Sequence, residues 1–291
     1  MHQRKLLVTH HAPDLDAISS VWMLKRFVAQ DYADSRVTFV NPGETLSLEE
    51  SDKIGYEPHQ VTHVDTGLGE FDHHQPDRGQ QFLSATLLTY QYACELHPEL
   101  KNDKALEYLA KFVTEIDHFQ EVNWPNPDDL RYSFMIHELI KGMEFQAGNT
   151  DEIQLHFGLT CLDSAYGVLT NNIKAEDILA TSSDSFEINA GKVLALESSN
   201  DDTIKLAQKK GYVLVIRKDP SEGNIRIKAR PDSDISLEAL RDAIYEKDSQ
   251  GSWYYHPSGK MLINGSRKHR NQKASSLSVQ EVVDLVKELY S

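Results

Sequence analysis

The chain of 291 residues is 26% charged and 40% hydrophobic, a balance that is typical of folded globular proteins and excludes a disordered chain. Its 45 acidic and 30 basic side chains give a formal net charge of −15, which excludes a broad surface for long nucleic acids because phosphate contacts need positive charge. No stretch approaches the roughly 18 consecutive apolar residues of a membrane-spanning helix, so no membrane protein is expected.

The N-terminus and the cysteines both indicate the same cellular compartment. The N-terminus runs directly into an apolar strand, which leaves no room for a signal peptide. The two cysteines, Cys94 and Cys161, lie in apolar stretches of helical appearance and are expected to be buried free thiols. We therefore expect a cytoplasmic protein.

Strands and helices alternate in the first part of the chain. Short apolar segments predict strands at residues 5–9, 36–40 and 61–64, and a helix is predicted from about residue 17 to 28. This alternation favours a parallel α/β sheet. From Ser84, a predicted N-cap, to about residue 180 the pattern is mainly helical.

The order of elements changes after the polar run at residues 181–185. Strands are predicted at 193–196, 212–216 and 225–229, the last two joined as a hairpin, and helices at 201–210, 237–246 and 279–289. We therefore predict two domains: an α/β domain at 1–182 with a parallel sheet and a helical second half, and a smaller α+β domain at 186–291.

Polar side chains follow the first predicted strand. His10, Asp14 and Asp16 lie where that strand gives way to a helix, at the edge where α/β sheets place ligands. Carboxylates gathered there repel one another unless a cation neutralises them. The alternative is that Asp14 or Asp16 only caps the following helix.

The third strand ends in the same way. Asp65 follows it directly, the adjacent pair His73 and His74 comes shortly after, and Asp117 ends an apolar helical stripe. The alternatives are surface or packing positions for the histidine pair and a solvated helix end for Asp117. Together, carboxylates and imidazoles without thiolates favour Mn²⁺ or Mg²⁺ over Zn²⁺ or Co²⁺.

The first 120 residues resemble the ordered motif series of the DHH phosphoesterase superfamily, which includes RecJ-type exonucleases, nano-RNase oligonucleotidases and manganese-dependent inorganic pyrophosphatases. The residues that carry this resemblance are His10-x-x-Pro13-Asp14-x-Asp16, Asp65, Asp72-His73-His74 and Asp117. Within the superfamily, Asp72-His73-His74-Gln75 after Asp65-x-Gly67, and the stretch 112–117, are most similar to the melanocyte-proliferating-gene exonuclease family. His256-Pro257-Ser258-Gly259 and Gly265 resemble its C-terminal histidine–glycine segment, with Ser266 in place of its second glycine.

The resemblance implies two Mn²⁺ ions, with Mg²⁺ as the alternative, in a catalytic first domain and a substrate-binding second domain. Asp65 is implied to bridge the ions and to be catalytic, and His74 to face the reacting phosphate. The implied ligands are His10 and Asp14 for one ion, and Asp16, His73 and Asp117 for the other. Two such ions activate water and stabilise both the attacking and the leaving oxygen.

A basic segment near the C-terminus stands out in this acidic chain. We predict that it binds substrate phosphate, with a solvated loop as the alternative. Its predicted phosphate-binding residues are Gly265, Ser266, Arg267 and Lys268. His256 is predicted to contact a terminal phosphate or hydroxyl, with packing as its alternative. Ser266-Arg267-Lys268 also resembles the phosphate-binding segment of manganese-dependent pyrophosphatases.

The function expected from this resemblance is a two-metal-ion phosphodiesterase that trims short oligonucleotides, as a 3′–5′ exonuclease on RNA. One alternative is a manganese-dependent inorganic pyrophosphatase or another hydrolase of small phosphoanhydrides or phosphoesters. A second alternative is a catalytically inactive nucleotide-sensing module. The expected partner is a short oligonucleotide or a small phosphorylated molecule rather than a membrane, and the oligomeric state stays open.

Overall fold

A computed structural model describes residues 5–181, 184–265 and 271–291 of the chain. The chain divides into two compact units, Met1–Leu169 and Thr170–Ser291. The point of division falls inside a long helix, α7, that runs from Asp151 to Thr181. The predicted domain boundary, by contrast, stood where this helix ends.

The first unit is built on a parallel sheet of three strands in the order β2-β1-β3, which confirms the predicted α/β class. Its strands are β1 (Leu6–His10), β2 (Arg36–Val40) and β3 (Val61–His63). Its helices are α1 (Leu15–Phe27), α2 (Ala29–Tyr32), α3 (Leu48–Lys53), α4 (Ala85–Leu96), α5 (Lys104–Asp117), α6 (Ile136–Met143) and the first part of α7.

The central strand β1 is apolar on both faces, and Leu6, Leu7 and Val8 are fully buried. A strand covered on both sides needs a continuous apolar run, which explains why the sequence shows one there. The helices begin at polar caps: the Ser84 hydroxyl accepts a hydrogen bond from the backbone N–H of Leu87, as predicted, and Asp103 caps α5.

Strands β1 and β3 run in the same direction and end at one edge of the sheet, with Val8 opposite His63. The chain leaves β1 at His10 and leaves β3 just before Asp65. Parallel pairing therefore brings together His10 and Asp65, two candidate site residues that are 55 residues apart in sequence.

The second unit contains a six-stranded, mostly antiparallel sheet in the order β4-β5-β6-β7-β9-β8, which agrees with the predicted α+β organisation. Its strands are β4 (Ser185–Ile188), β5 (Gly191–Glu197), β6 (Leu214–Lys218), β7 (Ile225–Ala229), β8 (Trp253–Tyr255) and β9 (Met261–Asn264). Its remaining helices are α8 (Asp202–Lys209), α9 (Glu238–Lys247) and α10 (Val279–Tyr290). The hairpin of β6 and β7 is as predicted, whereas β4, β8 and β9 were not predicted.

Cys94 is buried and Cys161 is half-buried, and both are free thiols. Within the described part of the chain, none of the helices combines the length and the apolar character that crossing a bilayer requires.

Candidate metal centre

His10 ends β1 with its ring fixed by the backbone. Its Nδ1 lies 2.8 Å from the carbonyl oxygen of His11, which makes Nδ1 the protonated donor and leaves Nε2 to face the centre. Nε2 lies 3.3 Å from Oδ2 of Asp65 and 4.0 Å from Oδ1 of Asp14. This is how an imidazole is oriented when it binds a metal through Nε2.

The loop after His10 is held by the start of α7. The Asp151 carboxylate lies 2.6 Å from His11 Nδ1 and accepts a hydrogen bond of 2.7 Å from the Ala12 backbone N–H. Ala12 has a positive φ of 48°, a conformation that a non-glycine residue keeps only when its surroundings impose it. Asp151 was not predicted, since nothing in the sequence links it to residues 140 positions earlier.

Asp14 caps the following helix, as the alternative interpretation predicted, whereas Asp16 lies inside α1 and binds the start of a different helix, α4. Asp14 Oδ1 accepts from the Ala17 N–H at the start of α1. Asp16 is 2% exposed, and its two oxygens accept from the Ala85 and Thr86 N–H groups at the start of α4, at 2.7 and 2.8 Å. Each carboxylate oxygen has a second lone pair, so capping does not prevent metal binding.

Asp65 and His73 form the middle of the centre. His73 Nε2 lies 3.5 Å from Asp65 Oδ1, 3.5 Å from Asp117 Oδ2 and 3.7 Å from Asp16 Oδ2. Asp65 has a positive φ of 53° and is 5% exposed. Among the described residues, neither Asp65 Oδ1 nor His73 Nε2 has a hydrogen-bond partner, although both atoms are buried.

Unpaired buried polar atoms are costly, and native proteins rarely leave them without a purpose. Here Asp65 Oδ1 and His73 Nε2 face one another at 3.5 Å, which is too long for a hydrogen bond. A divalent cation between them would satisfy both. The residues present therefore fit a metal ion of the kind that carboxylates and imidazoles bind.

His74 lies beside this core with a different environment. Its side chain is 59% exposed, and its Nδ1 donates to Oδ1 of Asp72 at 2.8 Å. Asp72 is fully buried and also accepts from the backbone N–H groups of His74 and Leu68. Asp72 thus fixes the ring of His74, a role that the motif alone did not reveal.

Asp117 ends α5 and directs its carboxylate towards His73. His118, the next residue, places Nε2 2.8 Å from the Leu83 carbonyl oxygen and 4.0 Å from Asp117 Oδ2. Three triads have ligand atoms within 4.8 Å of one another. They are Asp65, His73 and His74; His73, Asp117 and His118; and His10, Asp14 and Asp65.

The pKa shifts of the centre also fit a bound cation. Burial alone would lower the pKa of His10 and His73, but the surrounding carboxylates outweigh it and raise both to about 9. Burial, with repulsion from Asp65, raises the pKa of Asp16 well above its ordinary value. Burial also raises the pKa of Asp117, to about 6. The cluster therefore holds protons where a cation would bind.

Mn²⁺ binding is expected to release protons, and the affinity is expected to rise as the pH increases towards 9. An ion that binds His10 and His73 must displace the protons that their raised pKa values retain at neutral pH. Calorimetric titration at neutral pH in two buffers of different ionisation enthalpy measures this release. A binding heat that is the same in both buffers would contradict it.

The predicted substrate-binding residues of the C-terminal segment lie in the second unit or outside the described residues. His256 is half-buried, with Nδ1 2.8 Å from the Ser258 hydroxyl. Gly265 is buried with a φ of 81°, and a Cβ there would overlap the side-chain amide of Asn224, so only glycine fits. Ser266, Arg267 and Lys268 lie outside the described residues, and their assignment stays a prediction.

Comparison with known proteins gave matches among solved structures alone, because no family model and no curated protein matches the chain. One match is the DHH domain of a member of a family of ribosomal proteins, with 14% identity, 98% of this chain and 86% of that chain covered, and a TM-score of 0.31. A second is RecJ from Thermus thermophilus in complex with Mn²⁺, with 13% identity, 98% and 52% covered, and a TM-score of 0.30. A third is an exonuclease RecJ bound to manganese, with 12% identity, 99% and 90% covered, and a TM-score of 0.30.

The TM-scores of 0.30 and 0.31 are too low to carry an argument about activity. The present chain spans about half the length of the Thermus RecJ. The case for a metal centre therefore rests on the motif series and on the geometry described above. DHH-domain proteins are among the solved structures to which this chain is similar.

Proposed function

We propose that this chain is a two-metal-ion phosphodiesterase that trims short oligonucleotides, with RNA 3′ ends as its preferred substrate. One observation carries the proposal. The buried Asp65 carboxylate faces His10 through one oxygen and His73 through the other, at 3.3 and 3.5 Å, with Asp14, Asp16 and Asp117 around them. A carboxylate with a candidate ligand on each side is what a bridging ligand requires.

The proposed metal ligands lie on two sides of Asp65. His10 and Asp14 would hold one ion, and Asp16, His73 and Asp117 the other. When bound, the ions supply an activated water near neutral pH and stabilise charge on the reacting phosphate. Imidazole and carboxylate ligands together suit Mn²⁺, with Mg²⁺ as the alternative.

His74 is suited to the substrate rather than to an ion. Asp72 accepts a hydrogen bond from Nδ1–H and raises the pKa of the ring, so Nε2 of the exposed side chain also carries a proton in a larger fraction of molecules. A protonated Nε2 donates a charge-assisted hydrogen bond to a phosphate oxygen. His74 is therefore proposed to hold the reacting phosphate against the centre.

The net charge of −15 favours short substrates. A long nucleic acid would meet repulsion outside the centre, whereas a dinucleotide or pentamer needs positive charge only where its phosphates lie. Metal ions provide that charge locally.

One substrate panel tests the proposal. Oligoribonucleotides labelled at the 5′ or the 3′ end, matched oligodeoxynucleotides, dinucleotides and pyrophosphate are compared at equal concentration with Mn²⁺. We expect cleavage of substrates from two to about five nucleotides, progressive shortening from the 3′ end, and complete loss of activity with chelator. Cleavage that persists in excess chelator would contradict the proposed mechanism.

The alternative of an inorganic pyrophosphatase keeps one specific observation in its favour, the segment Ser266-Arg267-Lys268. Pyrophosphate turnover hundreds of times faster than oligonucleotide cleavage would support it. An inactive nucleotide-sensing module would bind nucleotides without cutting any substrate of the panel. Against this, every ligand position implied by the motif series is occupied by a metal-binding residue type.

A further inference from the structure

A cavity of about 330 Å³ adjoins the metal centre within the first unit. Asp14, Asp16 and Asp117 form the wall that it shares with the centre. Its apolar lining residues are Leu15, Val113, Ile116, Phe119 and Ile140. The chemistry proposed above makes no use of the rest of this cavity.

The far side of the cavity is polar and comes from α6 and its C-cap. His137, Glu138, Lys141 and Glu144 line it. Lys141 follows His137 by four residues and Glu138 by three, and Glu144 follows Lys141 by three, so they share one side of the helix. Phe119, which also lines the cavity, is 73% exposed and has a positive φ of 56°. The cavity thus combines an aromatic ring, an apolar floor and a mixed polar wall, the usual composition of a small-ligand pocket.

Two residues of this lining each contain a buried polar atom whose hydrogen-bonding capacity is unused within the described part of the chain. Glu121 Oε2 and His137 Nδ1 are buried, and neither has a hydrogen-bond partner among the described residues. His137 Nε2 lies 3.9 Å from Glu138 Oε1, which is beyond hydrogen-bond distance. Carboxylates outnumber cations here, so the lining offers acceptors to a ligand that brings donors, while Lys141 offers one strong donor.

We infer that this cavity binds the nucleobase next to the scissile phosphate, and that Glu121 and Lys141 make it prefer guanine. The inference rests on the proposed function, because it takes the metal centre to hold the phosphate. Guanine presents two neighbouring donors, N1–H and the N2 amino group, which one carboxylate accepts together, and its O6 and N7 accept from a lysine. Adenine, cytosine and uracil lack that adjacent pair of donors.

The cavity size agrees with this ligand. At about 330 Å³ it is at the lower end of the range for small-molecule pockets, which suits a single base with part of its ribose. The exposed ring of Phe119 provides a face on which any base can stack. Stacking is expected to support all four bases, and the carboxylate to discriminate among them.

Calorimetric binding of GMP, AMP, CMP and UMP in the presence of Mn²⁺ tests the inference without any cleavage. We expect GMP to bind about ten-fold more tightly than UMP, the effect of one good bidentate contact. Glu121→Gln should reduce this ratio to about two or less, because the amide cannot accept both donors. Glu107→Gln is the matched control, since Glu107 pairs with Lys111 on an exposed part of α5.

Lys141→Met is a second, independent variant that should also reduce the ratio of GMP to UMP affinity. Phe119→Ala should weaken the binding of all four nucleotides by similar factors. Equal affinities of the four nucleotides for the wild-type protein would overturn the inference. So would a ratio that is unchanged in both Glu121→Gln and Lys141→Met.

The same preference should appear in turnover, with pGpG cleaved at a higher kcat/KM than pUpU. The two proposals fail in different ways. Selective binding of GMP without cleavage of any dinucleotide would refute the phosphodiesterase, whereas cleavage of all dinucleotides at equal rates, with equal binding, would refute the guanine pocket.

Discussion

Asp65→Asn is expected to lower kcat by on the order of 10³-fold or more, with the fold retained. The two Asp65 oxygens face His10 at 3.3 Å and His73 at 3.5 Å, so this one side chain serves both proposed ion sites. An amide cannot bind two cations with its single weak acceptor oxygen. Turnover of oligonucleotides with saturating Mn²⁺, and circular dichroism for the fold, measure the effect.

The same variant is expected to lose thermal stability in metal-free buffer. Burial alone raises the pKa of Asp65, but the neighbouring imidazoles of His10 and His73 outweigh burial and leave the pKa below its ordinary value. A lowered pKa means that the ionised carboxylate stabilises the folded state at neutral pH, and that this contribution is lost as the pH falls through the folded pKa. Repulsion among the clustered acids, considered alone, would predict the opposite sign.

Asp117→Asn is the matched control, with the opposite expected sign. Burial raises the pKa of Asp117 to about 6, so its ionised form destabilises the metal-free protein at about pH 7.5. Asp117→Asn should therefore raise Tm in chelator, while Asp65→Asn lowers it. Near-normal turnover by folded Asp65→Asn protein would exclude a bridging role for Asp65.

His74→Ala is expected to reduce kcat by on the order of 10²-fold, the typical effect of removing one donor to developing charge. Asp72→Asn should reduce kcat in the same direction although Asp72 is buried and away from substrate. The reason is that His74 Nδ1 donates to Asp72 at 2.8 Å, and an amide in that place no longer fixes the proton on Nδ1.

The control for this pair is His97→Gln, because His97 at the C-cap of α4 is another histidine beside a carboxylate, 3.7 Å from Glu99. A structural role of Asp72 alone would lower Tm without changing the pH profile of kcat. Loss of the proton on His74 should instead shift the alkaline limb of that profile to lower pH. Full activity of His74→Ala would exclude contact with the reacting phosphate.

The sequence predicted the parts of the fold that local chemistry determines. Arg36–Val40 and Ile225–Ala229 are strands with the predicted bounds, and Ser84 caps its helix as expected. Trp253–Tyr255 and Ser185–Ile188 were missed because strands of three or four residues, one of them in a polar run, are held by their neighbours in the sheet rather than by local pattern.

The candidate site also has parts that the sequence predicts and parts that it does not. His10, Asp65, His73 and Asp117 lie close together in the structure, and their roles as metal ligands stay a prediction from the motif series. The cavity beside α6 was not predicted, because its lining comes from segments without a common motif. Residues that act only through tertiary contact cannot be found from one sequence.

The contact of Asp151, at the start of α7, with the loop after His10 also has a consequence for the order of folding. Asp151 holds His11 across 140 residues, and Asp16 holds the start of α4 across 69. Contacts of such long separation form late, because the chain must close large loops before they contribute. The ligands near His10 should therefore reach their final positions in one of the last steps of refolding. Mn²⁺ added to refolding protein is expected to leave the earliest phase unchanged and to slow unfolding instead.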